Sequence, residues 1–360
     1  FAVACWGKAP IGDETHDKKI GLYLGKGGLQ IAAVRGCGVE IIQRARNQQI
    51  GVGVEVFRKF VALIAQIAFD FKLHLLRAEF VATIDRISPD EGYRPRQAIS
   101  QQKLPGNADD VFMVVMFSGG GSRAAALGYG VLEELNRQRF DWNGKPLSLF
   151  DQIDMTFGVS GGSMLSAYHA LHGEDIFDNF ERDFLKQNLQ DNLKRKVFAV
   201  ANWSRLTSPQ FGRGDLLEEQ LNQTLFRHAT FDDLARKRKG PFTVIASTDM
   251  TAGTRLDFTQ EVFDALCLDL SKLPIARAVA ASSAVPLVFA PLTLNNNGGH
   301  CGYAIPEDME RAVFHSDPNA LQTATRRELL DSVLSYGDRS KRPYIHLLDG
   351  GLVDNLGMGS

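Results

Sequence analysis

Residues 158–162 of the 360-residue chain read GVSGG, after an apolar run and before an Ala- and Leu-rich run. A strand, then G-x-S-x-G, then a helix is the pattern of a nucleophile elbow, in which a sharp turn exposes a serine oxygen. Glycines are needed beside the serine because side chains would clash there, and the following helix directs N–H groups at the site. Ser160 is therefore a candidate nucleophile; the pattern alone also fits a tight structural turn.

A second glycine run, FSGGGSRAAALG at 117–128, also lies between an apolar run and a helical pattern. Uncovered N–H groups at a helix start can bind an anion. The run lacks the G-x-x-x-x-G-K-[ST] of a nucleotide phosphate loop, and Ala124 stands at the third glycine of a dinucleotide site. Beside a nucleophile-type turn, an oxyanion hole for an ester carbonyl fits best, and a structural glycine turn is the alternative.

A serine nucleophile also needs a group that takes its proton. In most serine hydrolases this group is a histidine, but His169 and His172 lie two or more turns along the predicted helix and point away from its start. Asp349, in a DGG sequence, ends a predicted strand at the edge where open α/β sheets place their sites. It could contact Ser160 directly if the site were dry enough to raise its pKa from about 3.9. Asp-Gly is also a common turn pair.

These motifs lie at strand ends in a chain that alternates strands and helices from residue 111 onward. VFMVVMF, residues 111–117, is typical of a buried parallel strand. The other predicted strands are 153–159, 241–250, 254–259 and 343–351. The predicted helices are 123–138, 163–173, 273–285 and most of 174–240, where Phe177, Phe180 and Phe184 share one face. The alternation favours an α/β fold with a mostly parallel sheet covered on both faces.

The part of the chain before residue 111 differs from the rest. We divide it into a segment without an assigned role at 1–54, an amphipathic helical segment at 55–87 and a polar linker rich in Pro and Gly at 88–110. The helical segment either packs on the main domain, 111–360, or lies on a membrane surface. Its longest uncharged stretch, 60–69, is shorter than the roughly 20 residues that span a bilayer.

The overall composition is that of a soluble globular protein, with 44% apolar and 23% charged residues. The net charge of −2 argues against a nucleic-acid partner and against strong attraction to anionic membranes.

The four cysteines, Cys5, Cys37, Cys267 and Cys301, are widely separated. None forms a CxxC pair, so the sequence suggests neither a zinc site nor a redox pair, and we expect free thiols. The opening FAVAC weakly resembles the end of a lipoprotein signal, with Cys5 lipidated, or Cys5 is an ordinary buried cysteine. A membrane-associated, a cytoplasmic and a periplasmic location all remain open.

Together, the three motifs resemble those of the patatin-like phospholipases. They are GGGSR at 119–123, GVSGG at 158–162 and DGG at 349–351, and the resemblance covers roughly residues 111–360. VAASSAVPLVFAPL, at 279–292, is similar to that family's Ala-Ser-Ser-Ala-x-Pro segment. The resemblance implies a three-layer α/β/α fold and a lipid acyl hydrolase with a Ser–Asp dyad, without a metal or cofactor.

Carried over by motif, Ser160 is the nucleophile and Asp349 the general base. The resemblance also implies an oxyanion hole made by the N–H groups of Gly119, Gly120 and Gly121. Arg123 holds the basic position of the first motif, where it contacts a lipid phosphate or forms a structural ion pair. The acid motif continues as DGGLVDN, in which Asp354 and Asn355 are expected to be structural.

The expected partner is a lipid with a fatty-acyl ester, together with peripheral membrane contact, and the oligomeric state is open. One departure from the family is Ala124, where a glycine is frequent, and the family's usual continuation beyond the acid motif is cut short. Two alternatives stay open: an acyltransferase or thioesterase that uses the same acyl-serine, and a catalytically inactive lipid-binding protein.

Overall fold

The computed structural model describes part of the chain. The described residues are 20–25, 28–33, 81–101, 104, 106–108, 112–142, 144–199, 202, 205–206, 211–286, 288–307, 310–311 and 321–357. The chain divides into two units, Phe1–Phe69 and Asp70–Ser360. In the first unit, the described residues form an antiparallel hairpin of β1 (Ile20–Gly25) and β2 (Gly28–Ala33). The rest of the predicted segment 1–54 lies outside the described residues.

The second unit alternates strands and helices. In chain order its elements are α1 (Pro95–Gln101), β3 (Met113–Phe117), α2 (Gly121–Arg137), β4 (Arg139–Trp142), β5 (Lys145–Ser148), β6 (Ile153–Val159), α3 (Gly161–His172), α4 (Ile176–Phe180), α5 (Leu189–Phe198), α6 (Arg213–Leu221), α7 (Phe231–Lys237), β7 (Phe242–Asp249), β8 (Thr254–Asp257), α8 (Gln260–Ala265), α9 (Ile275–Ser282), β9 (Leu292–Asn295), α10 (Leu321–Tyr336) and β10 (Tyr344–Asp349). Single π-helical turns extend α4 to Leu185 and α6 to Phe226.

A six-stranded mixed sheet forms the centre of this unit, in the order β3-β6-β7-β10-β9 with β8 also paired to β7. Strands β3, β6 and β7 are parallel, whereas β10 is antiparallel to both β7 and β9. Every residue of β7 is buried, which explains its almost continuous run of apolar and small side chains.

Helices flank the sheet. α3 packs on β6 and β7 and contacts α2 and α9, while α10 contacts α8 and β8. The α/β/α fold is therefore confirmed, with central strands that are mostly parallel. The predicted aromatic face is also present: Phe180 and Phe184 are buried with their rings stacked, and Phe177 packs against the core.

The strand predicted at 111–117 is not buried on both faces. β3 lies at the end of the strand order, and Val114 and Met116 are exposed while Phe117 is buried. An apolar run predicts a strand but does not show whether both faces of that strand are covered. The difference is explained by the edge position, which leaves alternate side chains without a covering layer.

The segments predicted as a helix at 55–87 and a linker at 88–110 also differ from the structure. Residues 51–80 lie outside the described part, and 81–87 is not helical: Thr83 there forms a β-bridge with Leu268. Within 88–110, the buried Tyr93 hydroxyl bonds to both the N–H and the carbonyl of Thr243, at 2.9 and 2.8 Å. Tyr93 therefore packs in the main domain, although the residues around it in the sequence are polar.

The expectation of free thiols is wrong for two of the four cysteines. Cys267 and Cys301 form a disulfide between positions 34 residues apart, and both residues are buried. Such a pair leaves no local spacing signal, because only the fold brings the two positions together. Cys5 and Cys37 lie outside the described residues.

Candidate active site

Ser160 stands at the corner between β6 and α3. Its φ of +52° is rare for a residue with a side chain and marks the strained turn that a nucleophile elbow requires. A Cβ on Gly158 would overlap the Ser166 hydroxyl, and one on Gly162 would overlap the Phe117 carbonyl. The two glycines are thus required by close packing, which brings this corner against the end of β3.

Polar groups fix the backbone of Ser160 on both sides. Its N–H donates to the Ser282 Oγ at 2.9 Å, and its carbonyl accepts from the Ser163 N–H at 2.9 Å and the Ser163 hydroxyl at 2.6 Å. Buried backbone groups need such partners, because an unpaired N–H or carbonyl away from water costs free energy. The strained turn is therefore held by neighbouring side chains.

Strand register brings Asp349 level with Ser160. In the sheet, Val159 of β6 lies beside Ala246 of β7, and Asp349 of β10 lies opposite Ser247. Ser160, one residue beyond Val159, therefore reaches the same level from the other side of β7. Asp349 ends β10 as predicted, and β10 runs antiparallel to β7, so it reaches this level from the opposite direction.

The Ser160 side chain is close enough to the Asp349 carboxylate to affect its pKa, and the carboxylate Oδ1 accepts from the Gly351 N–H at 2.8 Å. Ser160 is 8% exposed and Asp349 7%. Burial raises the pKa of Asp349 above its ordinary value, while the Gly351 N–H and the Ser160 side chain oppose this rise. A carboxylate with a raised pKa is a better proton acceptor, so the pair has the composition of a nucleophile and its base.

The predicted oxyanion loop lies beside this pair. A Cβ on Gly161 would overlap the Gly121 carbonyl, so the two glycine corners touch. Gly120 and Gly121 have φ values of +145° and +65° and form the N-terminus of α2, where the first N–H groups have no intrahelical acceptor. The Gly119 N–H instead donates to the Asn355 carbonyl at 3.1 Å. Of the three predicted amides, Gly119 therefore has a backbone acceptor, and Gly120 and Gly121 lie at the helix N-terminus.

The residues after Asp349 are anchored from β8. Arg255 pairs with Asp354 at 3.0 Å and with Asp257 at 2.6 Å, and it also donates to the Gly357 carbonyl at 3.2 Å. These contacts agree with the expected structural role of Asp354. Asn355, which follows it, bonds the oxyanion loop through its backbone. Arg123 is exposed in the first turn of α2, and its role stays a prediction.

Histidine 169 does not serve as the base. It is buried in α3, stacks on the Phe150 ring at 4.7 Å, and burial lowers its pKa to about 3. Among the described residues, no group of three or more His, Cys, Asp and Glu side chains could hold a metal ion. None of the helices in the described part combines the length and apolar composition needed to span a membrane.

The sequence patterns did not indicate the contacts of Ser282. The 279–292 segment is similar to a family motif, but that similarity assigns no role to any residue in it. The structure brings the end of α9 against both candidate catalytic residues, since Ser282 bonds the Ser160 N–H and the Ala284 carbonyl accepts the Asp349 N–H at 3.0 Å. Only the motif's position near the site could have indicated this.

Comparison with known proteins agrees with this geometry. The family model described as patatin-like phospholipase matches residues 115–359, roughly two thirds of the chain. This range contains both glycine corners, the Ser282 segment and Asp349. No curated protein sequence matches the chain.

Proposed function

This chain belongs to the patatin-like phospholipase family, which implies hydrolase activity on lipids, and we propose that it cleaves fatty-acyl esters as a phospholipase A-type serine esterase. Ser160 is the nucleophile and Asp349 the general base. The amides of Gly120 and Gly121 form the oxyanion hole. The Gly119 N–H does not take part while it is bonded to the Asn355 carbonyl. The observation that carries the proposal is that strand register brings Ser160 and Asp349 to the same level of the sheet, with the Ser160 side chain close enough to lower the pKa of the Asp349 carboxyl.

In the acylation half, Asp349 accepts the hydroxyl proton as the Ser160 oxygen attacks the acyl carbon. The carbonyl oxygen becomes an oxyanion, which the two glycine amides and the positive end of α2 stabilise. When the tetrahedral intermediate collapses, the bond to the alcohol breaks. The alcohol leaves with the proton from Asp349, and the acyl group stays on Ser160.

In the deacylation half, water replaces the alcohol. Asp349 accepts a proton from this water as its oxygen attacks the acyl-serine, and the same amides hold the second oxyanion. Collapse breaks the bond to Ser160, which regains its proton from Asp349 as the fatty acid leaves. One carboxylate thus acts as base and then as acid in each half, as in other covalent acyl transfers.

The direct test is hydrolysis of a short-chain nitrophenyl ester by the wild type, Ser160→Ala and Asp349→Asn. Both variants are expected to lose almost all activity, and Ser160→Ala also loses labelling by a fluorophosphonate probe. Asp151→Asn is the matched control, because burial also raises the pKa of Asp151, which lies near the opposite end of β6. It should keep wild-type activity.

Two outcomes would contradict the proposal. Activity retained by Ser160→Ala removes the assigned nucleophile, and absence of labelling in the wild type indicates an inactive lipid-binding protein. If the acyl group appears mainly on an added alcohol or is taken from a thioester, the same acyl-serine serves an acyltransferase or thioesterase. Mass spectrometry of products from a mixed lipid extract, compared with Ser160→Ala, then identifies the lipid class.

Exposed apolar side chains lie in the two segments that contact the proposed site through their backbone. We call them the apolar rim, and they are between 45% and 57% exposed: Val285, Val288, Leu352, Val353 and Leu356. Val285 follows Ala284, whose carbonyl accepts the Asp349 N–H, and Leu356 follows Asn355, whose carbonyl accepts the Gly119 N–H. Two members of the rim thus directly follow residues whose backbone contacts the site. A lipid surface is the partner it fits, because ester and apolar chain would then reach the site together.

This membrane contact is tested by replacing Leu352 and Leu356 together with Glu. Hydrolysis of phosphatidylcholine vesicles is expected to fall by about tenfold or more relative to hydrolysis of a soluble ester, since each leucine forfeits about 1.5–3 kcal/mol of burial. Leu334→Glu is the control, because Leu334 is similarly exposed but lies on α10. Equal losses on vesicles and soluble ester would contradict the role of the rim.

The disulfide bears on the location of the protein. Disulfides persist in oxidising compartments and are rare in the cytosol, where thiols are kept reduced. Of the locations left open by the sequence, we therefore propose the periplasm or another oxidising compartment over the cytoplasm. Fractionation of cells that express the natural gene, with antibody detection of the chain, tests this directly.

A further inference from the structure

The segment Ser282–Ala284, at the end of α9, contacts the backbone of both proposed catalytic residues. The Ser282 hydroxyl oxygen accepts the Ser160 N–H at 2.9 Å. Two residues later, the Ala284 carbonyl accepts the Asp349 N–H at 3.0 Å. One short segment therefore fixes the nucleophile and the base relative to each other, from two different elements of the sheet.

The Ser282 hydroxyl both accepts and donates a hydrogen bond. Besides accepting from Ser160, it donates its proton to the Ala246 carbonyl of β7 at 2.6 Å. A hydroxyl has one proton and two lone pairs, so these two bonds determine where its oxygen lies. Ser282 is fully buried, and water does not compete for either bond. The nucleophile's backbone is thus tied through one side chain to the central strand.

The hydrogen bond from the Ser160 N–H to Ser282 stabilises the corner between β6 and α3. Ser160 precedes the first residue of α3, so its N–H has no intrahelical acceptor, and its φ of +52° is a conformation that costs a residue with a side chain about 1–2 kcal/mol. Without an acceptor, the buried N–H would add to this cost. The same bond also means that the Ser160 amide is not a donor for the oxyanion.

We propose that Ser282 is a positioning residue that holds the strained nucleophile corner at the distance from Asp349 that proton transfer requires. The inference rests on the proposed Ser160–Asp349 chemistry and adds a residue to it. Ser282 acts through the backbone of Ser160. Its loss therefore changes the alignment of the hydroxyl with the carboxylate and leaves the apolar rim and the oxyanion amides in place.

Ser282→Ala tests this role. It removes both hydrogen bonds, and kcat on a soluble ester is expected to fall by up to about 10²-fold, the effect of a misplacement of about 1 Å, while KM stays within about twofold. The rate of labelling by a fluorophosphonate should fall in parallel, because labelling needs the same activated hydroxyl. A lower melting temperature is expected as well and is not by itself evidence.

Two further variants separate positioning from general stability. Ser283→Ala removes the adjacent buried hydroxyl, which has no hydrogen-bond partner in the described structure, and it should leave kcat and the labelling rate unchanged. Ser282→Thr keeps a hydroxyl at the position and should recover part of the lost kcat. If Ser282→Ala does not fold, Ser282→Cys takes its place, because it keeps the volume while weakening both bonds.

The proposal is overturned if kcat per titrated active site in Ser282→Ala or Ser282→Cys equals that of the wild type. It is equally overturned if Ser283→Ala and Ser282→Ala lose the same activity. These outcomes differ from failure of the proposed function, which shows as activity retained by Ser160→Ala. When Ser160→Ala is inactive and Ser282→Ala is fully active, the dyad stands and the positioning role does not.

Discussion

The corner between β3 and α2 and the corner between β6 and α3 both join a strand to a helix through small residues, yet they are packed differently. In the second corner, a Cβ on Gly158, Gly161 or Gly162 would overlap atoms of neighbouring elements. In the first, a Cβ on Gly121 would meet nothing within 4 Å, and one on Gly120 would meet only the Ala124 Cβ, at 3.1 Å. Gly120 and Gly121 have positive φ instead, whereas Gly119, before them, is closely packed, since a Cβ there would overlap the Asn355 side chain.

This difference shows that glycine serves two purposes in one site. At the nucleophile corner, it allows backbones to approach so closely that the serine is immobilised against β3 and α2. At the proposed oxyanion corner, Gly120 and Gly121 allow a backbone conformation that residues with a side chain rarely adopt. A corner that must hold a strained serine is tightly packed, and a corner that must admit a carbonyl oxygen is left open. The predictions below test this division.

The largest effect is expected at the packed corner, for Gly162→Ala. Alanine is the better helix former by about 1 kcal/mol, so propensity alone predicts stabilisation at this position in α3. The overlap with the Phe117 carbonyl reverses the sign, because backbone on both sides must shift, and a loss of about 3 kcal/mol or more with no measurable esterase activity is expected. Chemical denaturation and ester hydrolysis measure the two effects.

Gly130→Ala is the matched control for this variant. Gly130 lies within α2, and a Cβ there meets nothing within 4 Å. The substitution should therefore raise stability by about 0.5–1 kcal/mol and leave activity unchanged. If Gly162→Ala behaves like Gly130→Ala, the nucleophile corner is not held by close packing and the comparison fails.

The next largest effect is expected for the proposed base, Asp349, which takes the proton of the serine at the packed corner. Asp349→Asn removes the proton acceptor while keeping the shape of the side chain, and kcat should fall by about 10²–10⁴-fold. In the wild type, activity needs the ionised carboxylate. Because burial raises the pKa of Asp349, the rate should fall with decreasing pH at a value above the ordinary 3.8. A pH–rate profile that is flat down to pH 4 would argue against this base.

Stability should respond to the same group with the opposite sign. A carboxyl whose pKa is raised on folding favours the protonated form in the folded state, so its stabilising contribution is complete below 3.8 and is lost as pH rises through the higher folded value. The melting temperature of the wild type relative to Asp349→Asn should therefore decrease from pH 3.5 to pH 7. An increase over that range would mean that folding lowers the pKa.

A smaller effect is expected at the open corner, for Gly121→Ala. There is space for the methyl group, but a φ of +65° costs alanine about 1–2 kcal/mol, and relief of that strain turns the amide away from the oxyanion. The protein should fold, and kcat should fall by less than the roughly 10²–10³-fold seen when one donor is removed. Burst-phase kinetics and thermal melts distinguish this outcome from that of Gly162→Ala, and equal stability losses at the two corners would contradict the division.

Much of this arrangement could be predicted from the chain alone. The apolar runs before both glycine corners indicated β3 and β6, and the order of three motifs brought Ser160 and Asp349 into one hypothesis before any coordinates. The structure brings the two residues to the same level of the sheet, on either side of β7. Local patterns succeed here because a buried strand followed by a glycine turn and a helix leaves a clear signal over some fifteen residues.

The remaining features depend on contacts between distant parts of the chain. Periodicity does not specify the direction of a strand, so the antiparallel course of β10 was not foreseen. The sequence assigns the Gly119 amide to the oxyanion hole, but the structure pairs it with the Asn355 carbonyl. This acceptor comes from the far end of the domain, so no local pattern indicates it. For the same reason the sequence does not distinguish Ser282 from its neighbour Ser283, whose hydroxyl has no hydrogen-bond partner in the described structure. Only the fold shows that Ser282 contacts the nucleophile.

The smallest effect on catalysis is expected from removal of the disulfide. This variant shows how far a loss of stability alone changes kcat, which the other predictions need for comparison. Replacing Cys267 and Cys301 together by Ser reopens a loop of 34 residues, which should cost about 3–4 kcal/mol of stability in the chain-entropy model. Since neither residue contacts the two glycine corners, kcat per titrated active site should stay unchanged. A loss of kcat similar to that of Gly121→Ala would mean that activity follows overall stability, and the open corner would then need no special geometry. The alternative outcome is that the double Cys→Ser variant loses as much stability as Gly162→Ala but keeps its kcat. The inactivity of Gly162→Ala would then result from the geometry of its corner.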